Sequence, residues 1–278
     1  MLFWKKKKIN PTPLPQESTP TQFDTTGLET LLHAIKRDTG VDLFSKNSII
    51  ETKLKLFCQR KSMNSFRELH EKIAYDKSLY QDLIDLVTVN ETYFYREESQ
   101  LELSVNFALA LPNVKILCAP CASGEEVYSL AMMLSEKNRS SNSFSITGID
   151  INAEAIEKAQ KGTYSERSLH KLSPALKEKF FTADDKAFRI RKECFPSLYF
   201  QKFNIFEPSF GTLGQFDIIF SRNMLIYFDD EFRLKTIEVF AKMLKAEGKL
   251  FLGHADIVPE NRFFEKRSDH RLSYYVKR

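Results

Sequence analysis

Glycine, cysteine and long hydrophobic runs are all scarce in this sequence, and each shortage excludes a class of protein. The 278 residues include 9 glycines, 4 cysteines and one tryptophan. No run of about 18 apolar residues occurs, so a membrane-spanning helix is not expected. The opening MLFWKKKK has its apolar residues before its charges and lacks an apolar core segment, so we do not expect a secretory signal either.

The cysteines do not form the paired framework of a disulfide-stabilised secreted domain. A protein of the reducing cytoplasm is therefore expected. Cys118 and Cys121 form a CxxC pair, but no second pair follows at the spacing of a zinc site. We interpret both as packing residues and expect no metal site, with metal or redox chemistry as the alternative.

Neither sign of charge dominates the composition. There are 41 basic and 37 acidic residues, and the resulting net charge of +4 does not by itself indicate nucleic-acid binding. Hydrophobic residues make up 42% and charged residues 28%, which are globular values. The length allows one large domain, or a domain with a smaller companion.

The first 88 residues divide into a tail and a helical region. Residues 1–22 contain four prolines and no hydrophobic periodicity, so we predict a disordered tail. Residues 23–88 are predicted to form a small N-terminal helical domain. Its predicted helices are one that begins near Leu28 and ends at Gly40, then Ser48–Lys61, Phe66–Ala74 and Ser78–Val87.

The second of these helices has a basic outer face. Its predicted inward residues are Ile49, Ile50, Leu54 and Phe57. Its outward residues are Lys53, Lys55, Arg60 and Lys61. This face is either a solvated surface or a docking surface for an acidic helical partner.

The stretch Ile116–Leu134 is the most informative part of the chain. It predicts a buried strand, Val114–Cys118, a tight turn of small residues and then a helix. Ser123 is a candidate N-cap, and Glu125 and Glu126 fall in the first turn, where the helix dipole favours negative charge.

The turn contains a single glycine, which disfavours a dinucleotide site of the GxGxxG type. Two acidic residues would repel a phosphate but suit a cationic ligand. S-adenosylmethionine (SAM) has an amine and a sulfonium and carries no phosphate. The alternative is an ordinary capped turn without a ligand.

From residue 89 onward, strands and helices alternate as in a doubly wound α/β sheet. The predicted strands after the first are Phe144–Asp150, Leu198–Phe203, Phe216–Phe220, one led by Gly248, and Tyr274–Lys277. The predicted helices include Ala153–Lys161 and Asp229–Leu244. Polar residues follow successive strands, namely Glu125, Glu126, Asp150, Asn204, Arg222 and Asn223. A series of this kind on one sheet edge predicts a ligand site, and Asp150 can accept both ribose hydroxyls of an adenosine.

The segment Val87–Gln100 joins the two regions. It combines Asn90, Thr92, three aromatic residues and Arg96. It is either a linker helix with aromatic anchors or a segment that closes over a ligand on the strand ends.

Six motifs in this order resemble the CheR family of chemotaxis receptor methyltransferases. They are VNETYFYR, CASGEEVYSLAM, GIDINAEAIEKAQKGTYSE, FNIF, FDIIFSRNMLIYF and GKLFLGHAD. The resemblance runs from Leu28 to the C-terminus. It implies a cytoplasmic enzyme that esterifies glutamate side chains of chemoreceptors with SAM, leaving S-adenosylhomocysteine (SAH). The implied architecture has two parts. The small helical domain comes first, and a Rossmann-like SAM-dependent methyltransferase domain follows at residues 89–278. The last strand of that second domain is antiparallel.

The resemblance also assigns roles to individual positions. Asn90, Thr92 and Arg96 match the first cofactor motif, one of Glu125 and Glu126 contacts SAM, and Asp150 matches the ribose-binding acid. Asn204, Ile205, Arg222 and Asn223 match the adenine-side and methionine-side motifs. Arg96 and Tyr227 match the pair that positions the substrate carboxylate. His254 follows a strand, but we expect a structural hydrogen bond from it.

The chain departs mildly from the family pattern. Pro120 and Val127 replace the usual residues around GEE, and GHAD stands where GHSE is common. Some members bind a receptor-tail pentapeptide on a glycine-containing β-subdomain. The corresponding short β-subdomain near residues 181–198 predicts one alternating strand, Ala187–Arg191, and has no glycine for tight turns, so no pentapeptide tether is expected.

The partner expected from the resemblance is the cytoplasmic coiled coil of a chemoreceptor, met by a monomeric enzyme, and no nucleic acid is expected. Two other functions stay open on the sequence. One is SAM-dependent methylation of a small molecule or RNA, and the other is a non-catalytic SAM-binding signalling module.

Overall fold

A computed structural model describes residues 23–44, 47–140 and 143–278. The tail predicted over residues 1–22 lies outside this described part. No helix in the described ranges is long and apolar enough to cross a membrane.

Four helices at the start of the chain pack around a hydrophobic core of their own. They are α1 (Leu28–Thr39), α2 (Asn47–Arg60), α3 (Phe66–Ile73) and α4 (Lys77–Val87). Gly40 ends α1 as predicted, at a φ of 79° that glycine adopts without steric cost.

One inward residue of α2 is predicted wrongly. Ile50, Leu54, Phe57 and Cys58 are buried, whereas Ile49 is 63% exposed. Successive residues of a helix are rotated by about 100°, so Ile50 and Ile49 cannot both face the same core. Ile49 is instead an apolar side chain on the surface.

The rest of the chain is built on a seven-stranded sheet with helices around it. Its strands are β1 (Val114–Cys118), β2 (Phe144–Asp150), β6 (Leu198–Lys202), β7 (Phe216–Ser221), β8 (Leu244–Leu252), β9 (Phe264–Asp269) and β10 (Leu272–Lys277). The strand order is β6-β2-β1-β7-β8-β10-β9. All pairs from β6 to β8 are parallel, and β10 runs antiparallel to both of its neighbours. The predicted Rossmann-like, doubly wound sheet with an antiparallel last strand is confirmed.

Alternate residues of the central strands enter two different hydrophobic clusters. Ile116 and Ile218 belong to one, and Leu117 and Ile219 belong to the other. The helices that cover the sheet are α5 (Glu98–Leu109), α6 (Glu125–Glu136), α7 (Ala153–Lys161), α8 (Pro174–Phe180) and α9 (Asp230–Met243). Because both faces are covered, the ends of the parallel strands are left as the place for a ligand.

The region near residues 181–198 forms more than the single strand predicted. Here β4 (Phe181–Asp184) and β5 (Ala187–Ile190) make an antiparallel hairpin, and β3 (Thr163–Tyr164) pairs with the other edge of β5. Asp185 turns the hairpin at a φ of 47°. The turn therefore forms without glycine, because aspartate tolerates the left-handed region that glycine usually fills.

Polar contacts attach the N-terminal helices to the sheet domain. Gln81 on α4 donates to the Ile151 carbonyl over 2.9 Å, and Asp85 accepts from the Ala153 amide at the start of α7 over 2.7 Å. A second contact reaches the segment after β7, where the Asp42 backbone amide donates to the Tyr227 carbonyl over 2.8 Å. These contacts hold the helices across the carboxyl ends of the strands.

Candidate functional site

A cavity of about 340 Å³ lies between the N-terminal helices and the carboxyl ends of the strands. Its lining includes almost every residue that the sequence singled out, namely Asn90, Thr92, Arg96, Glu126, Asp150, Asn204, Ile205, Arg222, Asn223 and Tyr227. Glu125 is not in this lining. Residues far apart in the chain therefore meet in one site.

The turn between β1 and α6 forms the floor of the cavity. Gly124, not Ser123, is the N-cap of α6, and it has a φ of 90°. A β-carbon there would lie 2.8 Å from the β-carbon of Ala159, so both the backbone angle and the packing require glycine. Ser123 lies one residue before the cap, and its hydroxyl donates to Glu125 Oε2 over 2.7 Å. The predicted N-cap role of Ser123 was therefore wrong.

The two acidic residues of α6 have different surroundings. Glu125 is buried against Ser123, and burial raises the pKa of its carboxyl. Glu126 faces the cavity, and its Oε2 lies 2.5 Å from Arg222 Nε. Its other oxygen, Oε1, is buried without a hydrogen-bond partner among the described residues. A buried carboxylate oxygen in this state suits an ammonium donor, so Glu126 is the member of the pair that fits the amine of SAM.

Asp150 closes the opposite side of the same turn. Its two oxygens accept from the amides of Ala122 and Asn152, each over 2.9 Å. Burial raises the pKa of this carboxyl to about 6 in spite of these bonds. Each oxygen keeps a second lone pair, so the carboxylate can still accept ribose hydroxyls.

The polar residues after β6 and β7 are held firmly by the protein. The Asn204 amide group donates to the Asp38 carbonyl over 2.7 Å, and its oxygen accepts from the Phe206 amide over 2.9 Å. Ile205 is buried and adds an apolar wall. Asn223 has a φ of 59°, and its backbone amide donates to Asp256 Oδ2 over 2.7 Å. Asp256 is a supporting residue that the sequence reasoning missed.

Arg222 lies in the centre of a buried polar network. Besides Glu126, its guanidinium donates to the Arg96 carbonyl over 2.8 Å and lies 3.6 Å from Glu97 Oε2. Its charge is therefore committed to protein partners. The sequence reasoning missed Glu97 and Gln100, a further buried partner of this guanidinium at 3.4 Å.

The segment before α5 is a loop, not a linker helix, and it lies over the cavity. Within it, Arg96 donates to the Glu91 carbonyl over 2.8 Å, and its guanidinium lies 5.9 Å from the ring centre of Tyr93. Tyr227 faces the same cavity from the segment after β7. Burial raises the pKa of its phenol, and the positive charge of Arg96 opposes that change, so the two groups lie within electrostatic reach of each other.

The open side of the cavity is lined in part by α2 and the start of the loop. The exposed Ile49, Lys53 and Val89 belong to this lining. The sequence reasoning did not assign Ile49 or Val89 to the site, although an apolar residue between helix core positions is a usable signal. This side therefore offers apolar and positively charged groups to a second molecule.

Two other features singled out by sequence play structural parts. His254 Nδ1 lies 2.7 Å from Glu97 Oε2, the structural hydrogen bond that we expected. Cys118 and Cys121 are buried as predicted, and burial raises the pKa of both thiols well above the usual value.

Comparisons with known proteins agree with this site. The family model described as "CheR methyltransferase, SAM binding domain" matches residues 90–272. The chemotaxis protein methyltransferase of Campylobacter jejuni subsp. jejuni serotype O:23/36 (strain 81-176) is 41% identical over 261 residues, which cover 93% of this chain and 98% of that protein. The chemotaxis protein methyltransferase of Borreliella burgdorferi (strain ATCC 35210) is 31% identical over 256 residues, covering 86% of this chain and 90% of that protein.

The cavity and the comparisons lead to the same cofactor. Two acidic residues, Glu126 and Asp150, line the cavity, and the matched family model is that of a SAM-binding domain. The chain belongs to the CheR methyltransferase family, and its cofactor is S-adenosylmethionine.

Proposed function

We propose that this protein transfers the methyl group of SAM to glutamate side chains of chemoreceptors in chemotaxis. One observation carries the proposal. A single cavity is lined by Glu126, Asp150, Arg96 and Tyr227. The residues that we propose for the cofactor and those that we propose for the acceptor therefore share one space.

Seven residues of the cavity would hold the cofactor or shape its site. Glu126 would take the amine and Asp150 the ribose hydroxyls, while Asn90, Thr92 and Ile205 line the space around them. Arg222 and Asn223 would keep the methionine side in shape through their own bonds to Glu126 and Asp256. The SAM bound here supplies an electrophilic methyl group on a sulfonium.

The acceptor side fits a carboxylate. A glutamate side chain, with a pKa near 4.3, is already ionised at neutral pH, so its oxygen needs no general base. Arg96 would clamp this carboxylate through two parallel hydrogen bonds, and Tyr227 would donate a third. The contribution of the protein is then proximity, alignment and exclusion of water.

The partner that we propose is the acidic coiled coil of a chemoreceptor, met by a monomeric enzyme in the cytoplasm. The basic face of α2 supports this partner, and Lys53 on that face also lines the open side of the cavity. Lys61 on the same face is paired with Asp82, so we give Lys53 the larger part in docking. The free cysteines of the described chain fit a reducing compartment.

Transfer of radiolabelled methyl groups tests the proposal. Purified protein and labelled SAM are offered membranes rich in chemoreceptors and, separately, total RNA. Label should enter the receptor band and be released as methanol by mild alkali, because carboxylate methyl esters hydrolyse readily. Arg96→Lys keeps the charge but loses the two-pronged geometry and should lower the rate well below that of a Lys137→Gln control just after α6. Alkali-stable label, or label in RNA, would exclude the proposed acceptor.

A further inference from the structure

Three charged side chains form a buried row behind the cofactor end of the cavity. Glu126 contacts Arg222, and Arg222 contacts Glu97 on its other side. Their side chains are 9%, 3% and 18% exposed in that order. Charges this well shielded interact strongly, because little water screens them.

Glu97 occupies a distinctive position in this row. It is the residue immediately before α5, with a φ of 52° that non-glycine residues rarely adopt. One of its oxygens, Oε2, lies both 3.6 Å from Arg222 Nη1 and 2.7 Å from His254 Nδ1. Glu97 therefore contacts His254 on its solvent side and Arg222 on its cavity side.

The charges of the row do not balance. Two carboxylates share one guanidinium, so the three groups carry one excess negative charge when ionised. Within the row, Glu126 Oε1 has no hydrogen-bond partner in the described chain. Glu126 and Arg222 line the cavity, whereas Glu97 does not. A single ammonium in the cavity, beside the Glu126 carboxylate, would supply the missing charge.

The neighbours of Arg222 prevent the row from rearranging freely. Gln100 contacts the guanidinium through its oxygen and donates through its nitrogen to the Leu252 carbonyl over 2.9 Å. The Arg96 carbonyl accepts from Nη2 over 2.8 Å. If Glu97 lost its charge, the guanidinium would have only Glu126 left as a charged partner. Glu126 would then be drawn toward Arg222 and away from the ligand.

We propose that Glu97 is a positioning residue for the amine of the cofactor. It shares the charge of Arg222 so that the Glu126 carboxylate stays available to the ligand and the site keeps one unbalanced negative charge. This inference rests on the proposed function only in taking Glu126 as the partner of the amine.

Isothermal titration with two ligands tests the proposal on Glu97→Gln. The first ligand is SAH, and the second is its deamino analogue, in which hydrogen replaces the amino group. The variant should bind SAH about tenfold more weakly, because a charge-assisted contact is lost in part. Its affinity for the deamino analogue should stay within about twofold of the wild-type value, since that ligand has no ammonium to position. In turnover, the KM for SAM should rise while kcat changes little.

Glu98→Gln is the matched control. Glu98 is the next residue, is exposed and lies outside the row, so its variant should bind both ligands like the wild type. Should Glu97→Gln fail to fold, Glu97→Asp keeps the charge on a shorter arm and should give a smaller loss with the same ligand selectivity. An equal loss for both ligands would show a general structural role, and an unchanged SAH affinity would show no role, so either result overturns the proposal. Neither assay uses a receptor, so failure of receptor methylation would leave this test intact.

Discussion

At the scale of single residues, the site contains buried carboxylates whose oxygens do not have all the hydrogen bonds that they could accept. Asp150 has a raised pKa, and Glu126 keeps an oxygen without a hydrogen-bond partner in the described chain. Both conditions weaken the native state and are relieved by a ligand that donates hydrogen bonds. Ligand binding should therefore stabilise the protein more than its contact area alone suggests.

The first prediction concerns Asp150→Ala. Loss of a carboxylate that accepts ribose hydroxyls should weaken SAH binding by about tenfold or more, since hydrogen bonds to charged groups contribute about 1.5–3 kcal/mol. Calorimetry at pH 7.5 measures the change. An affinity equal to that of the wild type would remove Asp150 from the ribose site.

The second prediction concerns pH and follows from the raised pKa of Asp150, about 6. Ribose hydroxyls donate to the ionised carboxylate, so below that pKa binding must first displace a proton. SAH affinity should then fall by up to about tenfold for each pH unit below 6. Above pH 7 the ionisation of Asp150 should no longer change the affinity. In Asp150→Asn this slope should disappear.

The effect of pH on the stability of the unliganded protein has the opposite sign. The native carboxyl of Asp150 holds its proton more tightly than the same carboxyl in the unfolded chain, where its pKa has the ordinary value of 3.8. This group therefore lowers stability as the pH rises from about 4 to 6.

The third prediction concerns Tyr227→Phe. If the phenol hydrogen-bonds the substrate carboxylate, the variant should lose about tenfold or more in turnover while its SAH affinity stays close to that of the wild type. Single-turnover methylation and calorimetry measure the two quantities separately. Equal turnover in both proteins would leave Tyr227 with a packing role alone.

Sequence reasoning identified the groups of this cavity better than their partners. Asp150 and Glu126 could be predicted because each follows a strand whose end is evident from its apolar pattern. The choice between Glu125 and Glu126 could not be made, since it depends on the rotation of α6 about its axis. The pairing of Glu97 with His254 joins residues 157 positions apart, and no local pattern encodes such a contact.

At the scale of elements, the turn between β1 and α6 depends on one glycine. A fourth prediction is that Gly124→Ala lowers the free energy of unfolding by about 2–4 kcal/mol, combining a left-handed backbone cost of about 1–2 kcal/mol with overpacking. Urea titration measures the loss, and a value of no more than about 2 kcal/mol, the backbone cost alone, would mean that Ala159 yields to the new methyl group.

A fifth prediction concerns the basic face of α2. Reversing Lys53 and Arg60 to glutamate should slow receptor methylation and reduce its dependence on salt, because steering of an acidic partner is electrostatic. Lys137→Glu, just after α6, is the control and should change neither quantity. If rate and salt dependence survive the double reversal, receptors dock elsewhere.

Most elements with a strong apolar period were predicted within a residue or two, although β8 begins at Leu244, four residues before the predicted Gly248. Other elements were missed for physical reasons. The helix α5 buries polar Gln100 and Ser104 along with its apolar residues, so its pattern does not stand out. The strand β9 lies at the sheet edge and reads FEKRSD, with charges that protect an edge from further pairing but hide a strand from pattern reasoning.

At the scale of the whole molecule, the small sheet of β3, β5 and β4 bears on how the enzyme finds its receptor. We still propose that no pentapeptide tether is used, although the hairpin turn exists without glycine. A receptor-tail pentapeptide should show no saturable binding at micromolar concentration, and removing the tail from the receptor should leave the methylation rate unchanged. Binding that is lost in Phe188→Ala would reverse this prediction.

The strand order also determines when the cofactor site can exist during synthesis. Ile116 pairs on one side with Ile146 and on the other with Ile218. The pairing of β1 therefore cannot be completed until about a hundred further residues have been synthesised after it. At about 5–20 residues per second, the unpaired edge of β1 stays open for about 5–20 s, whereas the helices of residues 23–87 make mostly local contacts and can form early. Nascent chains that stop before β7 should therefore retain no SAH. Metabolite binding can stabilise only the finished chain, and until then β1 must be protected from aggregation by other means.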